Sequence, residues 1–230
     1  FSIVDQQGNL LPHFITISNT RAEDMDVVRA GNERVLTARL SDAAYFFDHD
    51  VKVPLADRVE GLKKVTYQEK LGTIHDKLER VKKLSVSLAA VLGADAKVAE
   101  RAAQLCKADL LTGIVGEFPK LQGIMGRHYA LLSGEGPAVA DAILEHYQPR
   151  FSGDTLPASL EGACVGIADR IDTITGCFSV GLVPSGSEDP YGLRRQSVAI
   201  LSILFERNKR LSLSALIAGA CTELGLKKED

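Results

Sequence analysis

Two different spacings of apolar residues divide the chain into a short β segment and a long helical region. Residues 1–4 and 13–17 are rich in strand-forming side chains, and the stretch DQQGN at 5–9 has the composition of a turn. We therefore predict a two-stranded hairpin within residues 1–20. Because an isolated hairpin is marginally stable in water, we interpret it as the remnant of a preceding β domain.

Beyond residue 31 the apolar residues recur every three or four positions, as at Leu36, Leu40 and Phe47. Gly93 and Asp95 supply a helix stop and the next helix cap. The spacing predicts helices at 36–47, 55–65, 73–92, 95–111, 137–147, 160–178, 191–207 and 211–226, with a glycine-interrupted stretch at 113–126. The fold class is therefore mainly α, with a hairpin remnant at 1–20, a linking helix at 21–53 and one helical domain at 54–230.

Composition excludes several classes of protein. The chain has 230 residues, 45% of them hydrophobic, and a formal net charge of −3, so nucleic acid would have to be bound by local basic stretches. It has no run of 18 apolar residues, and we expect no membrane segment. The four cysteines form no CxxC pair, which favours reduced thiols over a zinc site. Since the chain begins at Phe1 without an initiator Met, we interpret it as a piece of a longer polypeptide.

Several ionisable residues stand where the helical period requires an apolar side chain. Asp109 follows Leu105 on one stripe, His146 follows Ile143 on another, and Asp169 shares a third with Val165 and Asp172. Buried charges need partners, because an isolated one is costly. Two interpretations stay open: a polar network that fixes helix register, or a metal or catalytic centre built from several helices.

The order of these polar residues resembles that of HD-type phosphohydrolase domains. The matching stretches read AILEHY at 142–147, FSGD at 151–154 and ADRID at 168–172. In those domains an adjacent His-Asp pair binds the metal, whereas the corresponding stretch here, AAQLCKAD at 102–109, has Cys106 and Lys107 instead. A protonated lysine repels a cation, so the resemblance implies an HD-like helical domain with a degenerate site. Its positions are His75, Cys106, Lys107, His146 and Asp169, and we expect no metal and no catalytic residue.

Four other stretches resemble the β subunit of the bacterial heterotetrameric glycyl-tRNA synthetase. In that family's order they read GNERVLTARLSDA at 31–43, YQEKLGTIHDK at 67–77, EFPKLQGIMGR at 117–127 and PSGSEDPYGLRR at 184–195. The resemblance implies a cytoplasmic α2β2 enzyme whose partners are tRNA(Gly) and the α subunit. It also implies that ATP, with Mg, is used on the α subunit, and that this segment needs no cofactor and handles tRNA.

Basic residues are concentrated in two segments that could contact RNA phosphates. Residues 52–84 carry nine Lys or Arg against five Asp or Glu, and residues 194–210 carry five against one. Such clusters bind nucleic acid because neutralising phosphates releases counterions. The candidates are Lys63, Lys64, Lys70, Lys77, Arg80, Arg127, Arg194 and Arg195. The alternative for each is a solvated helix face, for the glycine-flanked Arg127 a tight packing site, and for Arg194 a clamp with Asp189.

Three functions follow from these observations. The first is a tRNA-binding segment of a glycine–tRNA ligase, without a catalytic group of its own. The second is a metal-dependent HD-type phosphohydrolase acting on nucleotides. The third is a scaffold that docks the α subunit. The lysine at the dyad position disfavours the second.

Overall fold

The computed structural model describes residues 1–226, and they are mainly helical, as the sequence predicts. Short strands pair as two antiparallel hairpins, β1 (Ser2–Val4) with β2 (Leu10–Phe14) and β3 (Thr66–Gln68) with β4 (Gly72–Thr73). The α-helices are α1 (Met25–Asp50), α2 (Ile74–Leu92), α3 (Ala96–Leu105), α4 (Gly113–Glu117), α5 (Ile124–Leu132), α6 (Pro137–Glu145), α7 (Leu160–Ser179), α8 (Leu193–Glu206) and α9 (Leu213–Glu223). Shorter 3₁₀ helices cover Leu55–Lys64, Ala108–Leu111 and Pro119–Leu121.

The described chain divides into two compact units, Phe1–Phe46 and the residues from Phe47 onward. The helical domain that the sequence predicts at 54–230 extends past the described part, since residues 227–230 lie outside it. Across residues 1–226 no helix combines the length and the hydrophobicity that crossing a bilayer requires.

The first unit contains the predicted hairpin, but its second strand begins earlier than the sequence suggests. Val4 pairs with Leu10 and Ser2 with Phe14, so β2 starts three residues before His13. The Asp5 carboxylate sets this register, because its Oδ1 atom accepts hydrogen bonds from the backbone of Gln7 (2.9 Å) and Asn9 (2.8 Å).

Helix α1 begins well before the point at which apolar periodicity becomes visible. Asp24 caps its first turn by accepting from the backbone N–H of Asp26 at 2.8 Å, and the helix then continues through Gly31. The predicted start beyond Gly31 was therefore wrong. The stripe that the prediction relied on is also exposed, since Leu36 is 38% and Leu40 62% accessible.

Local capping signals place the ends of α2 and the start of α3 as predicted. Thr73 and Asp76 form a reciprocal capping box at the start of α2, and Gly93 ends the helix with φ +77°. Asp95 then accepts from the backbone N–H of Lys97 at 2.9 Å. Helix α3 ends at Leu105, however, and not at Leu111 as the periodicity predicts.

Helix α7 is the centre of the second unit, because α2, α3, α6, α8 and α9 all pack against it. Most of its residues are buried, which explains why apolar side chains surround its axis instead of forming one stripe. Small residues let the neighbours approach closely. A Cβ atom on Gly166 would lie 3.1 Å from the His146 carbonyl oxygen, and one on Gly176 would lie 3.0 Å from Leu71. The polar residues of α7 therefore face other helices at short range.

Candidate functional site

The break between α3 and the following 3₁₀ helix positions Cys106 and Lys107. At Lys107 the backbone leaves the helical region (φ −117°, ψ 4°), and its side chain enters the interior. The Cys106 thiol turns back and donates to the Ala103 carbonyl oxygen at 3.3 Å. Burial raises the pKa of Cys106 to about 12, so this thiol is neither a nucleophile nor a ligand at neutral pH.

The Lys107 ammonium lies between the two groups that the HD resemblance assigns to a metal. Its Nζ atom is 2.9 Å from His146 Nε2 and 3.0 Å from Asp169 Oδ2. The third side of the ammonium faces the Tyr147 ring, 4.1 Å from the ring centroid. The Lys107 ammonium is therefore surrounded by three partners within the protein.

The hydrogen bonds of His146 define its tautomer. Nδ1 lies 2.5 Å from the Ile143 carbonyl oxygen, which only accepts, so Nδ1 carries the proton. Nε2 is then the lone-pair nitrogen and accepts from Lys107. Burial and the adjacent Lys107 charge hold the pKa of His146 well below its ordinary value. The imidazole is therefore neutral at physiological pH.

A second lysine, Lys77 on α2, closes the other side of the cluster. Its Nζ atom lies 3.0 Å from Asp169 Oδ1, 3.0 Å from Asp172 Oδ2 and 2.9 Å from Thr173 Oγ1. One turn later Arg80 contacts Asp172 through Nε at 2.5 Å and Nη2 at 3.2 Å. We call Lys77, Lys107, His146, Asp169 and Asp172, with Arg80 and Thr173, the lysine–aspartate cluster.

The two lysines and the carboxylates keep one another ionised. Burial lowers the pKa of Lys77, but the charges of Asp169 and Asp172 outweigh that effect and raise it. Burial likewise raises the pKa of Asp169, but Lys107 and Lys77 outweigh it and hold the pKa well below its ordinary value. A buried ion network of this kind is stable only with its full set of partners.

The cluster does not suit a metal ion. Asp169 Oδ2 accepts from Lys107, Asp169 Oδ1 lies 3.0 Å from the Lys77 ammonium, and each lysine would repel a divalent cation. Within residues 1–226 no three His, Cys, Asp or Glu side chains are grouped so as to hold a metal. His75 is not part of the cluster. It lies on another face of α2, where its Nε2 atom is 3.9 Å from Oε1 of Glu60 in the preceding 3₁₀ helix. Lys107, His146 and Asp169 come together, whereas His75 and Cys106 do not join them.

Two functional positions were missed in the sequence. The charge of Lys77 suggests a surface cation, but its position three residues after Ile74 and four before Val81 places it on the buried stripe of α2. Arg170 directly follows Asp169 on the mostly buried helix α7 and is only 7% exposed. Its guanidinium donates to the carbonyl oxygens of His146, Tyr147 and Gln148 at 2.9–3.0 Å, which caps the end of α6.

A cavity of about 500 Å³ adjoins the lysine–aspartate cluster. Lys77, Lys107, His146 and Asp169 line its floor, and Arg150, Tyr191 and Arg195 line it on the exposed side. The cavity therefore connects the buried ion network with the start of α8. We refer to it as the cluster cavity.

The predicted RNA contacts fall into two groups. Lys63, Lys64 and Lys70 are exposed, and Lys63 also pairs with Glu60 at 2.6 Å. In contrast, Lys77 is 4% exposed, and the Arg80 side chain, 12% exposed, is held by Asp172. Because Asp172 pairs with both charges inside the protein, Lys77 and Arg80 are not available to contact RNA phosphates.

The segment 123–129 is mostly a packing element. A Cβ atom on Gly126 would lie 2.9 Å from Ile143 Cγ2, and the Tyr129 hydroxyl donates to Asp50 Oδ2 at 3.2 Å. Asp109, the remaining polar residue of the buried stripes, accepts from the Gly123 backbone N–H at 2.6 Å, and burial raises its pKa. Arg127 stays half-exposed but pairs with Asp141 at 2.6 Å.

The two arginines at the start of α8 have different environments. Arg194 donates to the Gly186 carbonyl oxygen at 2.8 Å. Asp189 accepts from the backbone N–H groups of Leu193 (2.8 Å) and Arg194 (3.0 Å), so the predicted clamp operates through the backbone and not through the Arg194 side chain. The Arg195 guanidinium forms no hydrogen bond within residues 1–226. It lies against Gly192, helps to lower the pKa of Asp189 through its charge, and lines the cluster cavity.

Comparisons with known proteins identify the family. A family model described as glycyl-tRNA synthetase beta subunit matches residues 1–229. The glycine–tRNA ligase beta subunits of Geotalea uraniireducens and Geobacter sulfurreducens are each 58% identical to this chain. The matches cover 97% and 99% of this chain, respectively, and 33% of each relative. That of Trichlorobacter lovleyi is 58% identical over 94% of this chain and 32% of the relative.

The chain therefore spans about a third of the length of the curated relatives it matches. The four stretches singled out in the sequence lie within the matched range, and the resemblance that they indicated is confirmed. The chain belongs to the glycyl-tRNA synthetase beta-subunit family.

Proposed function

We propose that this chain serves glycyl-tRNA synthesis as a tRNA-binding segment of the β subunit, without a catalytic group of its own. Glycine activation with ATP and Mg would take place on an α subunit, its partner in an α2β2 enzyme. The four cysteines are free, which suits a reducing cytoplasm. The observation that carries the proposal is the contrast between basic residues bound internally and basic residues left at the surface.

The contacts of the internal residues argue against a catalytic role. His146 is neutral, but its lone pair already accepts from Lys107, and both oxygens of Asp169 face ammonium groups. A general base needs a free lone pair that can reach its substrate, and a metallohydrolase needs ligands that are free to bind the ion. This arrangement disfavours the phosphohydrolase alternative and supports a binding role.

The exposed residues suit an RNA backbone. Arg194 and Arg195 are adjacent and exposed at the first turn of α8. Because Asp189 already accepts from the backbone N–H groups of Leu193 and Arg194, the two side chains are the groups that would bind an anion here. Guanidinium groups bind phosphate oxygens in pairs. Lys63, Lys64 and Lys70 supply a second exposed group of cations. Since these residues contact phosphates and not bases, we expect affinity that depends strongly on salt.

Double replacement of Arg194→Ala and Arg195→Ala in the full-length β subunit, assembled with its α subunit, tests the proposal. We expect tRNA(Gly) affinity to fall by about thirtyfold or more, since each of the two arginines contributes roughly 1 kcal/mol or more through its charged hydrogen bonds. Glycine-dependent ATP–pyrophosphate exchange, which needs no tRNA, should stay at the wild-type rate.

Lys97→Gln is a suitable control, because Lys97 is exposed on α3 and does not line the cluster cavity. Unchanged tRNA affinity in the double variant would refute the proposal. A parallel loss of exchange activity would assign the two arginines to the subunit contact instead.

A further inference from the structure

The cluster cavity has the size and the lining of a small-anion site. Its volume of about 500 Å³ is in the range that accommodates a nucleotide. Side chains from α2, α7 and α8 surround it, together with the segment that follows α6. Parts of the chain that are far apart in sequence therefore converge on one concave space.

The ionisable side chains of this lining are strongly unbalanced in sign. Asp169 is its one carboxylate within the described chain, whereas five cationic residues line the same space. These are Lys77, Lys107, Arg150, Arg170 and Arg195. Asp172 lies outside the lining and offsets part of this charge, because it pairs with Lys77 at 3.0 Å and with Arg80 at 2.5 Å. With Arg80 and Asp172 included, six cations still face two carboxylates. Low-dielectric walls strengthen the resulting positive potential, which favours entry of an anion.

The exposed side of the cavity offers both a fixed and an available cation. Arg150 is held in place, since its Nη2 atom donates to the Gln122 carbonyl oxygen at 2.6 Å. Arg195 donates no hydrogen bond within the described part of the chain, although its charge also acts on Asp189. A guanidinium of this kind suits the paired oxygens of a phosphate. The adjacent Tyr191 ring is 42% exposed and provides a face on which a base can stack.

We propose that the cluster cavity binds the phosphate group of a nucleotide, with Arg195 as the residue that contacts it directly. Lys107 and Lys77 supply the positive potential of the floor while remaining paired with Asp169. The nucleotide is either free or part of an RNA chain, and the RNA case rests on the function proposed above. A cavity that in HD-type domains would hold a metal thus attracts the phosphate with fixed protein cations.

The test measures binding of adenosine 5′-monophosphate and inorganic phosphate to the full-length β subunit by calorimetry at low salt. We expect saturable binding of the nucleotide, competition by inorganic phosphate, and affinity lowered about tenfold by Arg195→Gln. The matched control is Lys97→Gln, which removes the same charge from an exposed position outside the cavity. The affinity of Lys97→Gln for adenosine 5′-monophosphate should equal that of the wild type.

A second arm uses a single-stranded oligoribonucleotide in place of the mononucleotide. If the RNA binds but the mononucleotide and phosphate do not, and Arg195→Gln weakens RNA binding while Lys97→Gln does not, the phosphate belongs to RNA. If the mononucleotide binds through Arg195 while tRNA does not bind at all, the cavity proposal holds and the tRNA function fails. If tRNA binds, and Arg195→Gln binds the mononucleotide, inorganic phosphate and the oligoribonucleotide as the wild type does, the cavity proposal is overturned and the tRNA function stands.

Discussion

Lys107 donates to His146 across 2.9 Å, in a position where the two residues could not approach if both were protonated. The contact requires a charged lysine and a neutral histidine, and the Nδ1–H group of His146 directed at the Ile143 carbonyl oxygen provides that state. An ammonium ion covalently tied to the protein thereby occupies the space between an imidazole and a carboxylate. This relationship converts a potential ligand set into a closed ion network.

Replacing Lys107 with methionine should destabilise the fold. Asp169, whose side chain is 17% exposed, would lose one of its two ammonium partners and remain partly uncompensated. Breaking a buried ion pair from one side costs about 3 kcal/mol. We expect a decrease of about that size in the free energy of unfolding, measured by urea denaturation and the same with or without EDTA.

Lys64→Met provides the control, because Lys64 is exposed and should change stability little. The double variant Lys107→Met/Asp169→Leu should recover part of the loss, since it removes both charges together. If Lys107→Met unfolds at the wild-type urea concentration, the cluster does not stabilise the fold as described.

Stability should decrease in mild acid because of His146. Its folded-state pKa lies well below the ordinary value of 6.5, so below pH 6.5 the unfolded chain binds a proton that the folded chain does not. The contribution is present above pH 6.5 and is lost as the pH falls, at up to about 1.4 kcal/mol per pH unit for one proton. The folded-state pKa of Asp169 is also lowered, so Asp169 reduces the free energy of unfolding in the same way, but only once the pH falls below its ordinary pKa of 3.8.

Urea denaturation between pH 7.5 and 5 measures the contribution of His146 separately from that of Asp169, which begins only at lower pH. The variant His146→Gln should show a shallower dependence of unfolding free energy on pH than the wild type, by about one proton. Equal slopes in the two proteins would mean that His146 does not remain neutral in the folded state.

Asp50 stabilises the start of α4 from a distant part of the chain. Its carboxylate accepts from the backbone N–H groups of Gly113 (2.9 Å) and Ile114 (3.0 Å). Asp50→Ala leaves these donors buried without a partner, and we expect a loss of about 2 kcal/mol in the free energy of unfolding. Asp48→Ala, on the exposed side of the same helix, should have almost no effect. Equal stability of the two variants would exclude the capping role of Asp50.

The exposed lysines should contribute to the salt dependence of tRNA binding. Each phosphate contact adds about one unit to the slope of log affinity against log salt concentration. Replacing Lys63 and Lys64 with glutamine should therefore decrease the magnitude of that slope by up to about two, in filter-binding titrations between low and moderate salt. If the slope stays the same while affinity falls, these lysines act indirectly and do not touch phosphates.

The accuracy of the sequence-based prediction depended on whether the deciding contact was local. The start of α2 is decided by Thr73 and Asp76, three residues apart, and the composition of the stretch reveals it. The end of α3 depends instead on Lys107 turning toward Asp169, 62 residues later, and periodicity could not indicate that. For the same reason Lys77 could not be distinguished from a surface lysine by its charge alone.

The amino-acid sequence by itself determined the helical class, the N-terminal hairpin, the capped helix ends and the family, because these depend on residue types at short spacing or on whole stretches of sequence. Only the tertiary structure decided which charges are internal. Lys77 and Asp172 are 95 positions apart and become partners because α2 packs against α7. Whether a charge is buried and neutralised or left for a ligand depends on such packing between distant helices, and a linear pattern does not record it.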